Sequence, residues 1–367
     1  MPRFQYFNMR VASIAAVRLG RTTCISLLAA GIILASSAGA GSQAQPNSKV
    51  SPQRVDLRPK LSPGEVLRYQ IQLQTVTDTK RTGAISDPQG PSRLAVTWDA
   101  TVKLEILGVT NPPNALSPAQ KSGANKRAVA KSNAAAVPLR IRTIYEHSAA
   151  SVKSDSPDPQ ADDIEQSYKR LEGQVIEFTV GTDGHVSDVH GLESIFDDDQ
   201  VRTAAEQWMT QVSGPAIGAP DVAVGQSWNS AQPATSMPLA GMIWRSNSTY
   251  LRNEPCRPTE PASASSGELC AVVLARQSVL SQKQLRDPTP EEYRRNGLRT
   301  SGQWSGSGES LSYLSLQAHS AVSVTQDSSQ QMDFTVTNSS GESIRYAGTV
   351  ETHSRVALLP PAAGASQ

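Results

Sequence analysis

Residues 93–107, RLAVTWDATVKLEIL, alternate in character almost without error. Leu94, Val96, Trp98, Ala100, Val102, Leu104 and Ile106 fall on one parity. Arg93, Thr97, Asp99, Thr101, Lys103 and Glu105 fall on the other, and only Ala95 breaks the polar set. A helix would scatter these apolar residues around its whole circumference. A period of two instead demands an antiparallel strand with one dry face and one wet face. The run before it does the same, with Leu67, Tyr69, Ile71 and Leu73 set against Arg68, Gln70, Gln72 and Gln74. The intervening DTKRTGAISDPQGPS is rich in turn formers, so the two runs read as one long hairpin.

The remaining pattern extends this theme. A strand is expected at 139–147, a polar loop at 151–161, and a short helix at 162–171 ending at Gly173. QVIEFTVGTDGHVSDVH, 174–190, reads as a tight hairpin turning at Asp183-Gly184, a pair suited to positive φ. DDDQVRTAAEQWMTQVSGP has the best helical stripe, in Val201, Ala205, Trp208 and Val212. Asp198 or Asp199 would cap it and Gly214-Pro215 would stop it. Strands are expected at 242–252 and 269–280, a charged loop at 281–298, then strands at 299–305, 309–317, 318–326, 331–337 and 343–356.

Residues 111–138 carry no periodic apolar face and read as a disordered insertion. The expected architecture is mainly β: antiparallel sheets in two related lobes, as a curved sheet or a sandwich, with a few short helices. The boundaries are a flexible N-terminal segment at 41–60, a first lobe at 61–215, a second lobe at 216–357 and a disordered tail at 358–367. Gly64 before Tyr69 and Gly225 before Trp228 hint at a duplication. So do Gly173 before Phe178 and Gly308 before Tyr313.

Before residue 41 the chain reads as an address. Arg3, Arg10, Arg18 and Arg21 precede the apolar run CISLLAAGIILASSA at 24–38, which is short for a bilayer span. Ala38-Gly39-Ala40 then supplies the small residues, Ala38 and Ala40, that a signal peptidase accepts; Ser42-Gln43-Ala44 is a second candidate. A signal peptide over 1–40 and an exported, periplasmic or extracellular product follow, with no stable transmembrane anchor after cleavage. Cys24 stands at the start of the apolar run, where a lipoprotein cysteine would follow it, and no twin arginine occurs there.

With Cys24 removed, Cys256 and Cys270 form an even pair in an oxidising compartment. A disulfide between them would close a loop worth roughly 3 kcal/mol on the chain-entropy model. Formal net charge is only +1 across the whole chain, with charged residues at 18%. That balance excludes nucleic acid held by bulk charge and a polybasic membrane surface.

No catalytic constellation emerges. Asp183, His185, Asp188 and His190 are the sharpest metal candidate, but on a strand His185 faces away from Asp188 and His190. His319 and His353 lie off the apolar parities of their runs, and His147 ends a strand. Trp304-Ser305-Gly306-Ser307-Gly308 is neither G-x-S-x-G nor a dinucleotide loop. The acidic run at 197–199 suits a helix N-terminus. Trp98 and Trp208 sit on core parities, and Trp228 is the least assignable tryptophan. No catalytic, cofactor-binding or metal residue is therefore assigned, and no cofactor is expected.

LSPGEVLRYQIQLQT, LEGQVIEFTVGTDGHVSDVHGL and DVAVGQSWN resemble segments of exported bacterial proteins of unknown function with a duplicated antiparallel β domain. Such proteins combine a G-x-x-x-x-Y strand, a G-x-x-x-x-F-x-V-x-x-x-G-x-V hairpin and a V-G-x-x-W segment. The resemblance runs over about 50–357 and implies compartment and fold, with no catalytic residue to transfer. The expected function is a non-enzymatic binding or interaction protein of the envelope, its partner an apolar small molecule or an envelope component. The competing expectation is a hydrolase or metal-dependent enzyme with a scattered site.

Overall fold

The structure, a computed structural model, describes residues 54–58, 60–83, 92–109, 138–155, 160–181, 186–196, 202, 221–234, 237–256, 267–281 and 285–360. The expected signal peptide with Ala38 and Ala40, the expected insertion at 111–138 apart from Pro138, the helix expected near 197–213 apart from Arg202, and Asp183 and His185 lie outside these residues.

Among the described residues, eleven strands form one antiparallel sheet. They are β1 Val66–Gly83, β2 Ser92–Val109, β3 Leu139–Ser154, β4 Val175–Val180, β5 Val186–His190 and β6 Ser227–Pro233. The others are β7 Met242–Pro255, β8 Leu269–Ser281, β9 Arg299–Ser315, β10 Ala321–Thr337 and β11 Ser343–Leu358. Among the described residues, the α-helices α1 Gln160–Lys169 and α2 Glu291–Arg295 lie between them, with a 3-10 turn at Leu192–Ser194. The spatial order is β5-β4-β3-β2-β1-β11-β10-β9-β8-β7-β6. Each half is thus a meander running outward from the centre, and the two are joined where the first strand pairs with the last. The sheet is curved and does not close.

The two halves share one continuous sheet. β11 pairs with β1 along its length, from Tyr69 opposite Leu358 to Gly83 opposite Ile344. Val324 and Val356 of the second half belong to the same buried cluster as Ile71, Trp98 and Phe178 of the first. The pairing carries β11 to Leu358, and the Leu359 N–H donates to the Arg68 carbonyl, so the first residues of the expected tail are held against β1. At the other terminus, part of the 41–60 segment is docked rather than flexible. Val55 and Val222 exchange two backbone hydrogen bonds of 2.8 and 2.9 Å, Arg54 pairs with Asp221, and Leu57 is buried.

The strands are longer than the sequence pattern indicates. β9 and β10 each run unbroken through Ser/Gly/Gln stretches that resemble turns, because every residue there has a ladder partner. β3 also continues past 147. Thr101 faces His147 and Val102 faces Tyr145, which leaves Glu146 as the extra residue of a bulge. The bulge shifts the alternation, so Tyr145 and then Ser148 are buried while His147 is exposed.

A turn with the same hydrogen bonds occurs at the start of each half. The Glu65 N–H bonds to the Ser62 carbonyl, and the Ser62 N–H bonds to the Glu65 carboxylate. Likewise the Gln226 N–H bonds to the Ala223 carbonyl, and the Ala223 N–H bonds to the Gln226 side chain. Gly64 (φ 84) and Gly225 (φ 86) occupy the third turn position, where positive φ is required. Their amides bond to Ile106 and Tyr250, the opposing residues of β2 and β7. Gly173 (φ 79) follows α1, and its positional counterpart after α2 is Gly297 (φ 69). Gly308, the counterpart suggested by sequence, lies inside β9.

Candidate functional site

The ladders sort every paired residue onto one of two faces. The inner face carries Ile71, Trp98, Tyr145 and Phe178 in the first half, and Val273, Phe334 and Tyr346 in the second, all buried. The outer face is wet and laced with cross-strand ion pairs. Arg68 meets Glu146, Arg345 meets Asp333, Arg276 meets Glu309, and Glu177 lies between Arg140 and Arg142. The Arg142 hydrogen bond holds the Glu177 carboxyl below its ordinary pKa, against a smaller opposing effect of burial. Arg345 does the same for Asp333.

Inner-face glycines mark where the sheet bends. A β-carbon on Gly348 would lie 1.9 Å from the Asp78 carbonyl oxygen, and one on Gly302 would lie 2.3 Å from the Asp333 oxygen. One on Gly308 would lie 2.7 Å from the Asp327 oxygen. In an ordinary sheet these atoms stay apart. Here the neighbouring strand folds toward the inner side, which makes that face concave.

Several pieces of chain outside the strands cover parts of the concave face. α1 lies over β2 and β3, where the rings of Tyr168 and Trp98 are 5.4 Å apart. The Trp98 indole N–H donates to the Ser148 hydroxyl at 2.9 Å, and that hydroxyl donates to the Tyr168 carbonyl at 2.6 Å. Glu165 and Glu172 accept from the Val152 and Ser148 amides along the edge of β3, satisfying backbone that β4 does not reach. Val55 and Leu57 cover a second cluster with Tyr250, Val273 and Leu314. Leu239, Tyr293 of α2 and Leu298 cover a third with Met332, Phe334 and Tyr346.

Between the second and third clusters lies a belt of different chemistry. Ser246, Gln277, Gly306, Gly308, Gln326 and Ser328 occupy inner positions and are half-buried. On β9 the belt separates Trp304 from Leu314, a span of about 34 Å at the rise of an antiparallel strand. Gln326 donates to Gln277 at 3.3 Å, and the Trp304 indole N–H donates to Gln330 at 2.9 Å. Across β1–β4 and β6–β11, Arg81 is the one charged residue at an inner position among the described residues.

Among the described residues, the histidine and aspartate candidates from sequence fall outside this face. His147 is exposed, 3.2 Å from Glu172, and His353 is exposed on the outer face beside Asp327. His190 is exposed at the edge strand, and Asp188 has φ 50. His319 sits in the β9–β10 turn with φ 51. Among the described residues no group of three His, Cys, Asp or Glu could hold a metal ion. Cys256 and Cys270 are bonded, joining the end of β7 to the start of β8, and both are buried beside Val322. Trp98 is a core residue, as its parity indicates, and Trp228 packs against the cluster under Val55. The belt itself has no sequence motif. Its signal is the absence of charge on one parity of 304–330, visible once those stretches are read as strand.

No protein-family model matches this chain, and no characterised protein matches it in sequence. Among solved structures, a lipovitellin structure titled for lipid–protein interactions is similar at 9% identity and a TM-score of 0.39. That match covers 84% of this chain and 27% of the other, so this chain spans about a quarter of its length. An outer membrane channel from Pseudomonas putida F1 is similar at 8% identity and a TM-score of 0.19, covering 86% of this chain and 100% of the other. At these scores neither likeness bears on function. The faces speak for themselves: a barrel wall in lipid turns an apolar band outward, whereas this sheet turns Arg68, Asp99, Asp333 and Arg345 outward. No helix of the described residues is long and apolar enough to cross a membrane.

Proposed function

We propose that this chain is an exported, non-enzymatic binding protein that holds an uncharged, largely apolar ligand on the concave face of its sheet. One observation carries the reading: among the described residues, a concave surface spanning the sheet has a single charged inner position, Arg81, and the covering elements leave a half-buried belt between apolar clusters. Such a surface favours an apolar or neutral molecule, because burying an ion there without a partner is costly. Among the described residues, the inner strand positions around the belt present no carboxylate, imidazole or amine to act as a base, so the surface suits holding a molecule better than moving a proton. Export is supported by the basic-then-apolar N-terminus and by the Cys256–Cys270 bond, a pairing favoured in oxidising compartments. The resemblance to exported bacterial β proteins agrees with this.

Native mass spectrometry of the full chain, extracted gently from its host's envelope, tests the reading. The expected result is a mass excess that organic solvent removes. Unliganded protein under conditions that preserve other envelope lipid complexes would overturn it.

A further inference from the structure

The concave face is not uniformly apolar, and the exception has a direction. Ligands that are hydrocarbon throughout need hydrocarbon walls, yet the centre of the second half is lined by amides, hydroxyls and bare backbone at Gly306 and Gly308. Resting on the reading of this face as a ligand surface, we infer that the belt receives the uncharged, hydroxyl-bearing head of an amphiphile, whose chain lies on the flanking apolar clusters.

Three observations support a neutral head rather than a charged one. Gln277 and Gln326 face one another as a side-chain pair, and Gln330 accepts from Trp304; amides both donate and accept, as sugar hydroxyls require. No inner position of β6–β11 offers a cation for a phosphate or an anion for an amine. Finally, the Thr75 hydroxyl, the Ser246 hydroxyl and the Trp228 indole N–H are buried without a hydrogen-bond partner, all on this face. Thr75 is only 3% exposed, on β1 directly opposite Thr352. A buried polar atom left unpaired is costly, and a hydroxylated ligand that displaces a neighbouring side chain can supply the missing partner.

The test uses two probes with one chain. Dodecyl maltoside and dodecyl phosphocholine, each below its micelle concentration, are titrated into the full mature protein by calorimetry. The maltoside is expected to bind at least ten-fold more tightly. In Gln277→Leu and, separately, Ser246→Ala, that preference is expected to fall at least three-fold while phosphocholine binding stays within two-fold, with circular dichroism confirming the sheet. Equal affinities, a preference for phosphocholine, or a preference unmoved in both folded variants would overturn the inference and leave the apolar-ligand reading standing. Failure of both probes to bind would overturn the two together.

Discussion

Gly348 sits inside β11, where the atoms nearest an added β-carbon are the Asp78 carbonyl at 1.9 Å and the Thr79 Cα at 2.9 Å. Both are backbone, so neither can swing aside. Gly348→Ala is therefore expected to destabilise the fold by about 1–3 kcal/mol, read from urea midpoints. Gly341 has φ 85 with nothing within 4 Å, so alanine there carries only the left-handed strain of about 1 kcal/mol. The reverse ordering would contradict the crowding on which the concave shape depends. Trp98 tests the dry core differently. Trp98→Phe removes the donor to Ser148 at a cost of about 1 kcal/mol, whereas Trp98→Ala also opens a cavity, costing about 3–5 kcal/mol. Trp98 was legible in the sequence because its neighbours two apart are apolar. Gly306 and Gly308 were not, because a Ser/Gly run in WSGSGES has the chemistry of a turn, and only the partners Gln330 and Ser328 make it strand.

Elements differ in how much of their extent is local. β2 matches its alternating run almost end to end, and α1 ends before Gly173 as its pattern indicates. β3 extends beyond 147 with no local signal because the bulge at Glu146 inverts its parity, and a bulge is set by the opposing strand. The Cys256–Cys270 bond joins two such elements at a sequence separation of 14. Replacing both cysteines by serine is expected to lower unfolding stability by about 2–4 kcal/mol, without changing the circular dichroism of the folded protein. Across β3 and β4, Glu177 is held in its charged form mainly by Arg142. Its pKa is depressed in the folded state, so its contribution is present above the unfolded carboxylate value of about 4.3 and is lost as pH falls through the lower folded value. Urea midpoints should therefore decline between about pH 5 and pH 3, and Glu177→Gln should flatten part of that decline. An unchanged slope would mean the Arg140–Glu177–Arg142 cluster is too well solvated to matter.

At the scale of the molecule, the sequence shows that the chain is built from antiparallel strands but not how its halves join. The pairing of β1 with β11 brings Tyr69 beside Leu358, a contact no local pattern encodes. It joins the two halves into a single curved sheet with one charged outer face and one nearly charge-free inner face. The functional reading rests on that asymmetry, and a pair of adjacent residues tests it. Ser328 is inner and half-buried, opposite Gly308 and Thr352, while Ser329 is outer and exposed. Binding of the neutral dye Nile red to Ser328→Lys and Ser329→Lys, followed by fluorescence, compares the two faces one residue apart. The account predicts at least ten-fold weaker binding for Ser328→Lys and wild-type binding for Ser329→Lys. Equal binding by both variants, with the fold intact, would contradict it.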